Sequence, residues 1–288
     1  MPGGRFAVVA MGKLGGREMT AGSDLDLIFV YNVPPDVEAS DGPKPLAVIV
    51  YYARLAQRFI AALTALTAAG GLYEVDMRLR PTGNKGPVAV SLASFTRYHA
   101  EESWTWERMA LTRARVVHAP SAFAAQVEAT IRATLTAGSD SAKVKADARD
   151  MRDKLAAQFP GKNRWDLKFA PGGLVDIEFV AQTLAALRRA RPSRGPRRQH
   201  DRSPEETRNR RRAVVRARAN ADRRGSAGAC SDAGPAHRPR RHARTRARHA
   251  GLKALLVHAT GYGRFEELEA RLARMQAEVR DVLNDTLR

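Results

Sequence analysis

The apolar positions in the first third of the chain fall into short runs that are typical of buried β-strands. The first run covers residues 6–11 and ends in a glycine-rich turn, and the second covers residues 24–31 and ends before two prolines. A third stretch, residues 72–80, alternates between apolar and polar positions and is followed by Pro81. Because glycine and proline interrupt regular structure, this pattern predicts three strands separated by turns.

Helical spacing of apolar residues predicts a long helix over residues 46–69, between the second and third strands, and Gly70 ends it. From Ser91, an expected N-cap, the pattern becomes helical. The helices predicted there cover residues 91–102, part of 104–117, 122–136, 141–158, 174–187 and a final amphipathic helix from Phe265 to Leu283. The sequence therefore predicts an α+β fold, in which a domain with a short mixed sheet precedes an α-helical bundle.

The change of pattern divides the chain into four predicted segments. Residues 1–120 form the mixed domain, residues 121–187 the first part of the helical domain, and residues 251–288 its C-terminal helix. Residues 188–250, the Arg-rich segment, fit neither domain. Apart from alanine, their apolar residues are two valines and one cysteine, too few to offset the entropy of ordering the chain, so disorder is expected. A reading-frame shift near residue 188, reversed near residue 250, fits the same abrupt change.

The position of the charge decides which partners the composition favours. The formal net charge is +19, yet residues 188–249 hold 21 Arg and five acidic residues, so the rest of the chain is close to neutral. Nucleic-acid binding, which a basic protein usually suggests, is therefore not the favoured reading. The single cysteine, Cys230, excludes an internal disulfide and a Cys-rich zinc site. No apolar run approaches the roughly 18 residues of a membrane helix, and we expect a cytoplasmic protein.

Two carboxylates at the start of the second strand are the strongest candidates for chemistry. Asp24 and Asp26 are two residues apart, so on a strand they project from one face while Leu25 points into the core. Carboxylates held this close repel each other unless a cation lies between them, and their hard oxygens suit Mg²⁺. Asp76, on the third strand, would add a third carboxylate, and three carboxylates can hold two metal ions about 3.5–4 Å apart.

Glycines and basic residues near these carboxylates indicate a ligand that carries phosphates. Gly15 and Gly16 would let backbone N–H groups approach a phosphate closely, and Lys13 would add positive charge. Arg78 and Arg80 would share the strand face of Asp76 and pair with a polyphosphate. Each feature alone is common on protein surfaces. Their order (strand, glycine turn, Asp-x-Asp strand, helix, Asp strand) is what favours a nucleotide site.

This order resembles the nucleotidyltransferase superfamily of DNA polymerase beta, in which Gly-Gly and Asp-x-Asp precede a later strand Asp. Longer strings resemble the C-terminal, adenylylating part of bacterial glutamine synthetase adenylyltransferase. These strings are Met11–Glu18, Ser23–Phe29, Tyr73–Pro81, Glu102–Glu107, Ala110–Arg115 and Pro171–Phe179. The resemblance covers about residues 5–187 and returns near residues 251–287.

The resemblance implies a multifunctional bacterial enzyme with two nucleotidyltransferase halves. One half attaches AMP to a tyrosine of glutamine synthetase, and the other removes it by phosphorolysis; this chain resembles the first. Asp24, Asp26 and Asp76 would then be catalytic and hold two Mg²⁺ ions, with the triphosphate of the substrate ATP seated by Gly15 and Gly16. Glutamine synthetase would be the protein substrate, and a PII-type nitrogen-signalling protein would be a regulator.

Other interpretations stay open from the sequence. The chain could be an inactive fragment of that enzyme, because the adenylyl-removing half is absent and the Arg-rich segment interrupts the helices. It could also be another nucleotidyltransferase, such as a uridylyltransferase, or a basic nucleic-acid-binding protein that acts through the Arg-rich segment. For Asp176 and Glu178 the resemblance supplies a motif without a role, and helix capping and pairing between domains are expected.

Overall fold

The computed structural model describes residues 1–20, 22–68, 70–137, 140–189 and 241–288. The chain divides into two compact units. The first contains Met1–Ala148 and the described residues 182–189, and the second contains Arg149–Ala181 and the described residues 241–288. Within these ranges no helix is both long and apolar enough to cross a membrane.

The elements follow one another along the chain with short connections. The strands are β1 (Arg5–Ala10), β2 (Leu25–Asn32), β3 (Val75–Asp76), β4 (Ala89–Ser91) and β5 (Arg115–His118). The helices up to residue 136 are α1 (Gly12–Gly15), α2 (Val48–Thr64), α3 (Leu92–Glu101), α4 (Thr105–Leu111) and α5 (Ser121–Thr136). The later helices are α6 (Ser141–Gln158), α7 (Leu174–Arg189), α8 (Arg241–Thr260) and α9 (Phe265–Leu287).

The five strands form one small mixed sheet in the order β3-β2-β1-β5, with β4 also paired to β2. β1 is antiparallel to both β2 and β5. β3 and β4 are parallel to β2 and pair with different parts of it, β3 near its start and β4 near its end. The predicted mixed α and β domain is therefore confirmed.

Helices cover both faces of this sheet, which is why β1 and β2 are almost continuously apolar. On one face Val9 and Ile28 pack with the helices α3 and α5. On the other face Val8 and Phe29 pack with α2. Because α5 contributes four buried residues to the first of these cores, it is part of the sheet-containing unit, although the sequence pattern assigned it to the helical domain.

Most predicted elements are present, and the differences concern short strands and helix ends. The side chain of Ser91 accepts a hydrogen bond from the N–H of Ser94 at 3.1 Å, so the predicted N-cap is confirmed. The helix expected over residues 46–69 ends at Thr64. The strand expected over residues 72–80 is only two residues long, because the chain turns directly after Asp76. β4 and β5 were not predicted.

The Arg-rich segment is described only at its two ends, residues 188–189 at the end of α7 and residues 241–250. α8 begins at Arg241 and so includes residues 241–250, for which the sequence predicted disorder. Residues 190–240, to which the predictions of disorder and of a frame shift mainly apply, lie outside the described residues. The amphipathic C-terminal helix is confirmed as α9, whose Leu268, Leu283 and Leu287 are buried.

Asp176 is the centre of an ion-pair network in the second unit. Its side chain has no exposure to solvent, and it pairs with Arg152 of α6 and, at 3.4 Å, with Arg280 of α9. It also accepts a hydrogen bond from the N–H of Gly172 at 2.6 Å, just before α7 begins. Asp176 thus accepts a hydrogen bond from the backbone just ahead of α7, its capping of that helix stays a prediction, and its ion pairs lie within one unit.

His99 of α3 makes the stability of the first unit depend on pH. It lies between the rings of Phe95 and Tyr98, at centroid distances of 4.5 and 5.3 Å. Neither ring nitrogen has a hydrogen-bond partner among the described residues. Burial, assisted by the positive charge of Arg108, lowers the pKa of His99 to about 4. The folded protein therefore holds this imidazole neutral where an unfolded chain would protonate it.

We expect the free energy of unfolding to decrease as the pH falls from about 6.5 to 4. In this window the unfolded state binds a proton that the folded state does not bind, so the His99 contribution to stability falls by about 3 kcal/mol. Urea unfolding followed across this pH range measures the effect. His99→Phe, which suits an aromatic cluster, should flatten the profile, whereas the exposed His118→Asn should leave it unchanged. An identical slope in wild type and His99→Phe would contradict this assignment.

Candidate functional site

The parallel pairing of β2 and β3 brings two of the predicted carboxylates together. Asp26 and Asp76 are direct partners in the register of these strands, and Leu25 pairs with Val75 beside them. Partners in a parallel pair project their side chains from the same face of the sheet. Asp26 and Asp76 are half-buried, whereas Asp24 is exposed just before β2 begins. The sheet thus forms a carboxylate-rich edge at the start of β2.

Arg78 forms hydrogen bonds and an ion pair with the carboxylate of Asp76. Its backbone N–H donates to one oxygen at 2.8 Å, and its Nε donates to the other at 2.7 Å, beside an ion pair from its terminal nitrogen. Burial alone would raise the pKa of Asp76, but the hydrogen bonds and charge of Arg78 outweigh it and lower the pKa. Asp76 is therefore held as a carboxylate in the folded protein.

All three acidic residues act electrostatically on this one guanidinium. The pKa of Arg78 is raised chiefly by its hydrogen bond to Asp76, and Asp26 and Asp24 raise it further. Among the residues that the structure describes, no group of three His, Cys, Asp or Glu side chains is placed to hold a metal ion. The chemistry of the donors still fits a hard divalent cation, because the carboxylates of register partners Asp26 and Asp76 supply hard oxygen ligands. The side chain of Arg78 is 73% exposed, so most of its surface faces solvent.

The glycine turn lies directly against Asp26. Gly12 has a positive φ of 49°, and a side chain there would overlap the carboxylate of Asp26. The backbone N–H of Met11 also donates to the carbonyl of Asp26 at 2.9 Å. Gly15 is buried, and a Cβ at this position would overlap the carbonyl oxygens of Ala10 and Arg113. Glycine is required at these positions so that the turn can pack on β1 and β2.

The amide groups of the two predicted phosphate-binding glycines are used within the turn. The N–H of Gly15 donates to Met11 at 2.7 Å, and that of Gly16 donates to Gly12 at 3.1 Å. Lys13 is half-buried on the same short helix. The geometry thus shows what Gly15 and Gly16 do for packing, and contact of Gly15, Gly16 and Lys13 with a nucleotide stays a prediction.

Arg80 does not share a strand face with Arg78, because β3 ends before either of them. It is buried, and its guanidinium donates to the carbonyl of Met77 at 2.8 Å and to those of Asn84 and Gly86 at 3.4 and 3.3 Å. Burial lowers its pKa, and the charge of Asp76 opposes this shift. Arg80 therefore stabilises the loop after β3, and its predicted contact with a nucleotide is not explained by this position.

Two arginines near β5 hold the glycine turn in place, and sequence reasoning gave them no role. Arg115 donates to the carbonyls of Gly15 at 3.3 Å and Leu14 at 3.0 Å. Arg113 pairs with Glu18 at 3.6 Å, and its side chain is largely buried. The string Ala110–Arg115 was noted in the sequence, but its function depends on β5 pairing with β1, which brings residue 115 next to residue 15.

Tyr98 and Glu107 connect the loop after Asp76 to the helices behind it. The hydroxyl of Tyr98 donates to Glu107 at 2.8 Å, and the other oxygen of Glu107 accepts from the backbone N–H of Trp104 at 2.8 Å. Burial, together with the bond to Glu107, raises the pKa of Tyr98, against a hydrogen bond from the backbone of Thr82. Residues 104–107, with the sequence Trp-Thr-Trp-Glu, therefore support the segment that contains Asp76.

Comparison with known proteins shows which proteins this chain is similar to. A model of the glutamate-ammonia ligase adenylyltransferase family matches residues 2–130. Proteins named bifunctional glutamine synthetase adenylyltransferase/adenylyl-removing enzyme are similar over a longer range. The one from Brucella suis is 53% identical over 192 residues, 66% of this chain and 20% of that protein. The one from Rhizobium meliloti is 51% identical over 195 residues, 68% of this chain and 20% of that protein.

A third such protein, from Xanthobacter autotrophicus, is 54% identical over 183 residues, which are 63% of this chain and 18% of that protein. This chain thus spans about a fifth of the length of the curated relatives that it matches. The matched region contains β1, β2 and β3, and with them the carboxylates and the glycine turn. Residues 2–130 therefore carry the glutamate-ammonia ligase adenylyltransferase domain, and the resemblance seen in the sequence is confirmed.

Proposed function

We propose that the first unit is a nucleotidyltransferase that moves AMP from ATP to a tyrosine of glutamine synthetase and releases pyrophosphate. The register pairing of Asp26 with Asp76, beside the glycine turn, carries this proposal. The names of the relatives support the choice of glutamine synthetase as the protein substrate. The small mixed sheet with helices on both faces is compatible with the polymerase beta-like fold that the sequence predicts.

Asp24, Asp26 and Asp76 would hold the divalent cations, which we take to be two Mg²⁺ ions. When bound, such ions neutralise charge on the nucleotide phosphates and lower the pKa of an attacking hydroxyl. The carboxylate of Asp26 lies against the backbone of the glycine turn. We therefore expect the phosphates of the nucleotide to lie over that turn. Arg115 and Arg113 fix the turn from the side of β5 and so limit where a triphosphate can lie.

Arg78 has two roles in this proposal. Without a ligand it neutralises Asp76, and its exposed side chain can swing away when a stronger cation takes its place. It then stays close enough to pair with a phosphate oxygen, as the sequence predicts. Asp76 is also a candidate acceptor for the proton of the tyrosine hydroxyl.

Labelled ATP tests the proposal directly. The chain is incubated with Mg²⁺, bacterial glutamine synthetase and ATP labelled at the α-phosphorus, and label is expected on a tyrosine of glutamine synthetase together with free pyrophosphate. A parallel reaction with UTP labelled in the same way tests the uridylyltransferase alternative. Transfer from UTP but not from ATP would overturn the assignment of the nucleotide, and removal of Mg²⁺ by EDTA should stop either reaction.

An inactive fragment is the second candidate, because the chain spans only about a fifth of its relatives. It predicts no transfer from either nucleotide to glutamine synthetase, with the first unit folded. The nucleic-acid alternative depends on the Arg-rich segment, most of which lies outside the described residues. It predicts salt-dependent binding that deletion of residues 188–250 removes. Regulation by a PII-type protein and a cytoplasmic location remain predictions from the sequence.

A further inference from the structure

A cavity of about 410 Å³ lies within the second unit, between the middle of α6 and the end of α9. Its volume is in the range of small-molecule binding sites. Four arginines line it: Arg149 and Arg152 from α6, and Arg280 and Arg288 from the C-terminal part of the chain. The apolar side chains of Leu283 and Leu287 also line the cavity at its base, and both are almost completely buried. The cavity is thus a basic pocket with an apolar base.

The positive charge of this pocket is only partly neutralised. Asp176, which is fully buried behind the cavity wall, is shared between Arg152 and Arg280. Arg288 pairs with Asp285 at 3.6 Å, and Asp153 is the one acidic residue in the lining. Among the side chains, four guanidinium groups therefore face three carboxylates.

Arg152 presents hydrogen-bond donors that nothing in the described part of the unit uses. Its Nε donates to Asp176, and its two terminal nitrogens have no hydrogen-bond partner among the described residues. Arg149 makes one hydrogen bond, to the carbonyl of Leu287, and Arg280 makes one long contact of 3.4 Å. Because a guanidinium carries five N–H donors in a planar fork, these three side chains keep donors suited to carboxylate or phosphate oxygens.

We propose that this cavity binds a compact polyanion, a small molecule with two or more carboxylate or phosphate groups. The buried pair of Arg152 and Asp176 holds one guanidinium rigidly at the wall, and Arg149 and Arg280 supply donors from the two sides. The site lies in the second unit and shares no residue with the carboxylate-rich edge of the sheet. It is therefore independent of the proposed transfer of AMP.

Calorimetric titration of the full chain with inorganic pyrophosphate and with citrate, in EDTA and low salt, tests the proposal. EDTA keeps divalent ions from carrying either anion to the carboxylates of the first unit. We expect saturable binding of at least one anion, and the preferred one tells whether the natural ligand carries phosphates or carboxylates. Arg149→Gln and Arg280→Gln should each weaken that binding about 10-fold, the scale of a charged hydrogen bond.

Arg271→Gln is the matched control. Arg271 lies on the same helix as Arg280, is about equally exposed and does not line the cavity. Its replacement removes the same charge and should change the affinity less than about twofold. Far-UV circular dichroism checks that all variants are folded, and Arg149→Gln remains informative if Arg280→Gln is not, because Arg149 has no contact with Asp176. Binding of neither anion, or an equal loss in Arg271→Gln, would overturn the proposal.

Discussion

Asp26→Asn should reduce transfer of AMP to glutamine synthetase by about 10³-fold, the scale observed when a group that stabilises transition-state charge is removed. Asparagine keeps the shape of aspartate but removes one of the two negative charges that β2 and β3 place side by side. The fold should persist, because the surrounding apolar residues of β2 are unchanged and Asn fits the same space beside Gly12. The assay is the α-labelled ATP reaction, with circular dichroism as the measure of folding.

Asp36→Asn is the control for this experiment. Asp36 is an exposed residue in the loop after β2, so it undergoes the same chemical change far from the β2–β3 pairing. Its transfer rate should equal that of wild type. Full activity in Asp26→Asn would refute the assignment of Asp26. A loss in both variants would show that net charge, rather than the position of the carboxylate, controls the reaction.

Asp176→Ala should lower the free energy of unfolding of the second unit by about 3 kcal/mol or more. The substitution leaves Arg152, which is only 5% exposed, without its buried partner, and breaking a buried ion pair by removing one member usually has a cost of this size. It also removes the acceptor of the Gly172 N–H at the start of α7. Urea unfolding followed by circular dichroism gives the change.

Asp150→Ala separates this effect from a general loss of acidic residues. Asp150 lies on α6 close to Arg152, but its side chain is 64% exposed and pairs with Lys154, whose side chain is 71% exposed. Exposed pairs of this kind contribute less than about 1 kcal/mol, so this variant should unfold close to wild type. If Asp176→Ala were no less stable than Asp150→Ala, the ion-pair network would not stabilise the second unit.

Much of the fold could be predicted because its longer elements are encoded locally. The apolar run of β1, the period of α6 and the Ser91 cap each depend on residues that are close in sequence. The short strands were harder for a physical reason. β3 has two residues and β4 three, and such segments are extended only because β2 supplies their hydrogen-bond partners. Their sequences alone contain too little periodicity to indicate a strand.

In the candidate site, too, some features could be predicted from local sequence and others depend on distant contacts. The alternation of side chains along β2 is enough to predict that Asp24 and Asp26 share a face. Asp76 can be recognised from the sequence motif around it. Which residue faces Asp26, however, is decided by the parallel register of β3. The turn after Asp76 then separates two arginines that a continuous strand would have aligned, so that Arg78 pairs with Asp76 while Arg80 is buried in the loop.

The amino-acid sequence by itself determined the order of elements, the acidic motif and the resemblance to the adenylyltransferase family, because short-range patterns and motif strings need no knowledge of distant contacts. Only the tertiary structure decided that Asp26 lies beside Asp76, that Arg115 caps the glycine turn, and that Asp176 joins three helices. These contacts link residues between 24 and 104 positions apart. They depend on strand pairing and helix packing, in which one residue of register changes every partner.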